Sequence, residues 1–140
     1  MGKRASASFK FDKQAQKFFA EIDSKMPLAR ETAVKAMGIA WADGAKEITQ
    51  SDDHIDTGAY VNSIGYETNI PGKNGIIQKG TPINDTVEKA NETILTIGSD
   101  VRYAAPLEKR YNIMARSLDA NEKRMLEVGS MAVRKTILGK

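Results

Sequence analysis

The sequence predicts an α+β fold with an N-terminal helical hairpin, a small antiparallel β-sheet and a C-terminal helix. Three observations lead there. Apolar residues recur at helical spacing in both end regions, while β-branched or period-two segments are confined to the middle. The strongest turn signal, Pro71-Gly72-Lys73-Asn74-Gly75, falls among those middle segments. The length of 140 residues suits a single domain, so residues 1–11 are assigned to a basic N-terminal arm and residues 12–140 to one α+β domain.

The helical pattern starts near Asp12. Ala15, Phe18, Phe19, Ile22 and Met26 fall at i, i+3, i+4, i+7 and i+11. Pro27 lacks an N–H and crowds the preceding turn, so it marks a kink or the first turn of a second helix, running to about Gln50. Val34, Met37, Trp41, Ala45 and Ile48 form that helix's stripe, and the small residues Ala33, Ala36, Ala40 and Gly44 beside it would let another element approach closely. An acidic turn, Ser51 to Gly58, ends the helix. Beyond it Asn62 to Thr68 alternates as a strand, Gly75 to Lys79 reads as a short return strand, and Gly80 to Asn91 reads as a long polar loop. Thr93 to Gly98 is the clearest strand, β-branched and closed by Gly98-Ser99-Asp100. Val101 to Tyr111 reads as a turn into a short helix. Asp119 with Glu122 resembles a capping box opening a last helix that reaches about Leu138.

Composition narrows the function classes. The chain has no cysteine, which excludes a disulfide scaffold, a zinc–thiolate site, an iron–sulfur cluster and a thiol nucleophile. His54 is the single histidine, so no two-imidazole arrangement exists within one chain. The longest uncharged apolar run, Ala36 to Ala42, has seven residues, far short of the ~20 that span a bilayer. No apolar signal segment follows the basic amino terminus, so a soluble intracellular product is expected.

The net charge of +3 is unevenly spread. Residues 1–50 carry nine basic and six acidic side chains, residues 51–100 three and eight, and residues 101–140 nine and four. Both ends are basic and the middle is acidic. Aromatic residues make up only 6%, without the basic–aromatic interleaving of single-strand binders. A small basic nucleic-acid-binding or regulatory domain therefore stands as the alternative reading. A metal-dependent hydrolase on Asp52, Asp53, His54 and Asp56 ranks below it. Counted from Asp52, the calcium-loop template requires glycine at Thr57 and glutamate at Ser63, and fails at both. There is no Gly-x-Ser-x-Gly elbow to place a serine beside His54, and the Pro71–Gly75 turn lacks the spacing of a phosphate-cradling loop. No enzyme activity, cofactor or metal is expected.

Two segments do carry a recognisable pattern. Asp56-Thr57-Gly58-Ala59-Tyr60-Val61-Asn62-Ser63-Ile64 resembles the DTG-x-L-x-x-S-I signature of a tailed-bacteriophage morphogenesis family, the minor tail, tail-completion and neck (head–tail joining) proteins. Leu95 to Glu108 is similar to the family's second signature, a strand ending in Gly98-Ser99, then Tyr103-Ala104, then Glu108 before the final helix. The pattern departs where Asp53-His54-Ile55 stands in place of a proline, where Tyr60 or Val61 represents the leucine, and where Lys109-Arg110-Tyr111 replaces an aromatic-Gly-Thr. In physical terms Asp56 and Thr57 suit turn amides, Gly58 permits positive φ, and Ser63 with Ile64 starts a strand whose Ile64 faces the core. Tyr103 packs with a polar tip, and Glu108, with Arg110 nearby, is placed to meet a neighbouring subunit.

The resemblance implies a structural virion protein, located in the tail or neck and in the host cytoplasm during assembly. It implies a homo-oligomeric ring, a hexamer with a dodecamer as the other option, between the head connector or adaptor and the tail terminator or tube. Genomic DNA would pass through the lumen without sequence specificity, and no membrane is involved. Lys3, Arg4 and Lys10 of the arm are expected to reach the neighbouring layer or line the lumen. The turn at Asp56 and the Gly80–Asn91 loop are expected to make interlayer contacts.

Overall fold

The computed structural model describes residues 13–139 apart from Asp53 and Asp56. The architecture is α+β and mostly helical. Helix α1 (Lys13–Ser51) is followed by an irregular segment, a strand pair β1 (Pro82–Glu88) and β2 (Thr93–Ser99), a short helix α2 (Ala104–Tyr111) and a long helix α3 (Ile113–Leu138). Among the described residues no helix is long and apolar enough to cross a membrane.

Where a hairpin of two helices is expected, α1 runs unbroken for 39 residues, about 58 Å. Pro27 sits inside it on an exposed flank. Contacts with α3 hold the helix on both sides of the proline: Lys25 Nζ donates to Ile137 O at 3.5 Å, and Ala29 and Ala33 are buried. One missing backbone bond does not end a helix secured in this way. The antiparallel partner of α1 is therefore α3. Their register runs from Lys25 beside Ile137, through Met37 beside Gly129 and Gly44 beside Asn121, to Asp52 beside Arg116.

The small residues of α1 set the helix spacing, as expected. A Cβ on Gly44 would lie 2.0 Å from Asn121 Nδ2 and 2.7 Å from Ser117 Oγ. Both neighbours are pinned: Ser117 Oγ donates to Trp41 O at 2.7 Å, and Asn121 Nδ2 donates to Ser117 O at 2.9 Å. Trp41 Nε1 donates to Met114 O at 3.0 Å and closes the same contact. Trp41, Ala42, Ala45, Tyr60, Ile64, Ala104 and Ile113 form the core around it.

The expected strand over Asn62 to Thr68 is absent. Val61–Ser63 forms one 3-10 turn and the chain continues irregularly: Lys46 takes the carbonyls of Val61 and Tyr66, Thr68 N bonds back to Asn62 O, and only Gly65 reaches β2, donating to Gly98 O at 2.8 Å, so no ladder forms. Gly75 to Lys79 is likewise not a strand, although the preceding turn forms as expected, with Gly75 N donating to Gly72 O at 2.9 Å. The expected loop over Gly80 to Asn91 instead contains β1. Its Asn, Asp and Pro content conceals it from propensity, and pairing with β2 holds it extended.

β1 and β2 pair antiparallel with Pro82 opposite Ser99 and Glu88 opposite Thr93. Lys89 N donates to Glu92 O at 2.8 Å and Asp100 N to Thr81 O at 2.9 Å. Alternation along the ladder then points the backbone groups of Asn84, Thr86 and Glu88, and of Thr93, Leu95 and Ile97, away from the pair. Gly65 N donates to Gly98 O of β2 at 2.8 Å; among the described residues no other backbone group from outside the pair bonds to β1 or β2. On one face Leu95 and Ile97 cover Gly38 of α1. On the other, Val87 and Ile94 stand opposite each other at 53% and 39% exposure.

The last helix starts at Ile113, six residues before the predicted capping box. Asn112, at φ 52, joins it to α2, a left-handed conformation that asparagine tolerates.

Gly44→Ala should destabilise the chain by about 1–3 kcal/mol in urea unfolding despite alanine's better helix propensity, because the pinned Asn121 and Ser117 must move. Gly129→Ala should cost less, since the atom nearest its Cβ, 2.8 Å away, is the flexible thioether sulfur of Met37. Equal costs would contradict this packing.

Candidate functional site

The two motif segments meet in space. Thr57 Oγ1 and Tyr103 OH are hydrogen-bonded at 2.9 Å, and Ser63 Oγ and Ser99 Oγ at 2.6 Å. Ala59 N also donates to Thr57 Oγ1 at 3.2 Å, an ST-type turn. Gly58 has φ +90, and a Cβ there would lie 2.9 Å from Ile70 O, so both the conformation and the space require glycine. Ile64 is fully buried, as expected.

Glu108 has an intrachain role. Its carboxylate accepts from Met114 N at 2.6 and 3.1 Å and from Ala115 N at 3.4 Å, so it caps the start of α3 and opposes the positive end of that helix. Arg110 is exposed, with its guanidinium 5.3 Å from the centre of the Tyr111 ring. Asp56, Lys3, Arg4 and Lys10 lie outside the described residues.

Several groups that sequence reasoning passed over hold the site. Lys46 is 3% exposed, and its Nζ donates to Val61 O at 2.6 Å, Tyr66 O at 2.8 Å and Thr68 Oγ1 at 3.1 Å. It also lies 4.4 Å over the Tyr66 ring. Tyr66 OH in turn donates to Asp43. Burial pushes the Lys46 ammonium down to about 8, opposed in part by Asp43, and burial with the Asp43 bond pushes Tyr66 up to about 12. A visible signal existed: Ala42, Ala45, Lys46 and Thr49 fall at i, i+3, i+4 and i+7, placing a lysine on a buried stripe.

Asn62, fully buried, organises the following segment. Its Nδ2 donates to Ile70 O and Gln78 O, each at 2.8 Å, and its Oδ1 accepts from Ile70 N at 2.7 Å. His54 stacks on Tyr111 at 3.6 Å between ring centres. Asp52 accepts from Arg116 Nη1 at 2.6 Å, and that bond holds its carboxyl below the usual carboxylate range.

Between residues 57–61 and α2 lies a pocket of about 360 Å³, lined among others by His54, Thr57, Gly58, Tyr60, Tyr103 and Leu107. Among the described residues no three acidic or imidazole groups gather as a metal site, and Asp53 and Asp56 are not among those residues. The arrangement offers hydroxyl donors on an apolar surface.

Lys46→Met should destabilise the fold by about 3 kcal/mol, because the carbonyls of Val61 and Tyr66 lose a charged donor. It should also flatten the pH dependence. The folded-state value of about 8 lies below the ordinary 10.5, so between these values the unfolded chain binds the extra proton and stability rises with pH. Urea midpoints at pH 8 and pH 10 should therefore rise in the wild type relative to Lys46→Met, and parallel profiles would refute this. Separately, Glu108→Ala should lower stability by about 1–2 kcal/mol through the lost cap of α3, read in the same assay.

The chain matches no protein-family model, no curated protein and no solved structure, so a functional reading rests on this geometry and on the two motifs.

Proposed function

We propose that this protein is a structural subunit of a tailed-phage neck, a ring-forming component that completes the tail and joins it to the head connector. The observation that carries the reading is the strand pair. No further strand pairs with either edge among the described residues, Gly65 N alone reaching β2 at Gly98 O, and an exposed Val87–Ile94 pair stands on the outer face. An isolated two-stranded sheet whose edges pair with no further strand is a template for further pairing. A closed ring requires head-to-tail contacts between two different patches, and the β1 and β2 edges of one hairpin supply them. Exposed Leu126, Met131 and Leu138 on α3 and Leu28 on α1 add apolar surface of the kind that interfaces cover.

The motifs support the same reading. Thr57 with Tyr103 at the surface, and Ser63 with Ser99 in the interior, tie the two signature segments together. The groups gathered there lend themselves to holding a rigid shape rather than to proton or group transfer.

Negative-stain electron microscopy and light scattering of the purified protein should find closed rings, a hexamer by expectation. Val87→Lys places a charge on the exposed face of the hairpin and should leave a folded monomer with unchanged circular dichroism. A wild-type protein that stays monomeric at every concentration tested would contradict the proposal.

A further inference from the structure

Asn74 is the one asparagine in the chain that glycine follows. Both residues are exposed at the tip of the loop between Ile70 and Gln78. Gly75 N donates to Gly72 O at 2.9 Å, which makes Gly72–Gly75 a β-turn with Asn74 third in it. The asparagine side chain also folds forward, and its Oδ1 accepts from Ile76 N at 3.0 Å. That Asx turn spans the Asn74–Gly75 peptide, so the side-chain carbonyl carbon is held alongside the nitrogen of Gly75. Nothing lies within 4 Å of the position a Gly75 Cβ would take, so that side of the glycine is open to water.

We propose that Asn74 is a self-modification site, converted in water to aspartate and isoaspartate through a cyclic imide with Gly75. Gly75 N gives its proton to a base from solvent and bonds to Asn74 Cγ. The bond from Cγ to Nδ2 breaks, and Nδ2 takes a proton from solvent and leaves as ammonia. Water then adds to one of the two imide carbonyls and cleaves its bond to nitrogen. Opening at Cγ gives aspartate, opening at the backbone carbon gives isoaspartate, and either product carries one more negative charge. Nothing is oxidised or reduced, and water is the co-reactant. The Asx turn holds the reacting atoms together, and Ile76 N–H donates to the oxygen on which charge develops during attack. Glycine adds no Cβ to crowd the nitrogen. Against this, the attack consumes the N–H that Gly72 O accepts. Loss of one exposed turn bond slows the reaction by about tenfold at most. Asn62 has the opposite arrangement: it is fully buried, both ends of its amide are bonded, and Ser63 follows it. Its grip on Ile70 O and Gln78 O confines the change at Asn74 to the loop tip, where Ile76 and Ile77 stand exposed, so the fold survives it. None of this depends on ring formation.

Full-length protein kept in mildly alkaline buffer should accumulate a species one charge more acidic on isoelectric focusing, comigrating with Asn74→Asp, with ammonia released in step. Peptide mapping by mass spectrometry should place the change at Asn74, as a mixture of aspartate and isoaspartate, and find Asn62 intact. Asn74→Gln, whose amide carbon lies one bond further from the Gly75 nitrogen, should stop the change while keeping the circular dichroism of the wild type. Ammonia release from the folded protein should lie within about tenfold of that from the chain unfolded in urea. A protein that gains no charge, a change that maps to another asparagine or persists in Asn74→Gln, or a folded protein slowed far beyond that factor would each overturn the proposal.

Discussion

A charged amine inside the protein fixes the path of the chain from Val61 to Thr68, between α1 and the strand pair. Desolvating an ammonium is expensive, and Lys46 offsets it with two carbonyls, one hydroxyl and a tyrosine face. Those acceptors come from Val61, Tyr66 and Thr68, so the cation fixes the path of a segment with little regular structure of its own. Asn62 extends the arrangement by bonding to Ile70 and Gln78. The irregular segment is thus a built feature, held from the helix by Lys46 and from the strand pair by the bonds of Gly65 to Gly98 and Asn84.

The helices provide the base on which this rests. α1 and α3 approach closely at Gly44 and Gly129, and the hydrogen bonds of Trp41 and Ser117 lock their relative height. The Glu108 carboxylate then sets where α3 begins, immediately after the left-handed turn at Asn112. With both helices fixed, Leu107 of α2 and Tyr103 just before it stand beside Thr57, Gly58 and Tyr60, and β2 lies across Gly38. The parts with few constraints are the outer edges of the strand pair and the apolar strip on α3. On the reading proposed, neighbouring copies take up those surfaces, and the rigid interior ensures that each copy presents them alike.

Much of this was legible in the residues. The fold class, the Thr93 strand, the turn at Gly75 and the close-packing role of the small α1 residues all follow from local pattern. The errors have a common origin: tertiary contacts outweighed local rules. Pro27 fails to break α1 because α3 packs on both sides of it. Asn62 to Thr68 alternates like a strand, yet buried polar side chains capture its backbone first. β1 reads as loop because Pro82, Asn84 and Asp85 mask the spacing of Ile83 and Val87 on one face. Of the motif residues, Thr57, Gly58, Ser63 and Tyr103 stand together, while Glu108 is recruited to a helix end that its sequence position did not advertise. Lys46 is the residue that local rules conceal most. Its place on a buried stripe was visible, but lysine is ordinarily assigned to solvent by default.

The most direct test of this account looks at that ammonium itself. Nitrogen-detected NMR of the lysine side chains should find one Nζ group whose protons exchange slowly, with couplings through hydrogen bonds to the carbonyl carbons of Val61 and Tyr66. It should titrate near pH 8, well below the ordinary lysine value of 10.5. A Lys46 resonance that exchanges and titrates like the surface lysines would mean the segment is held some other way, and the central constraint would be wrong.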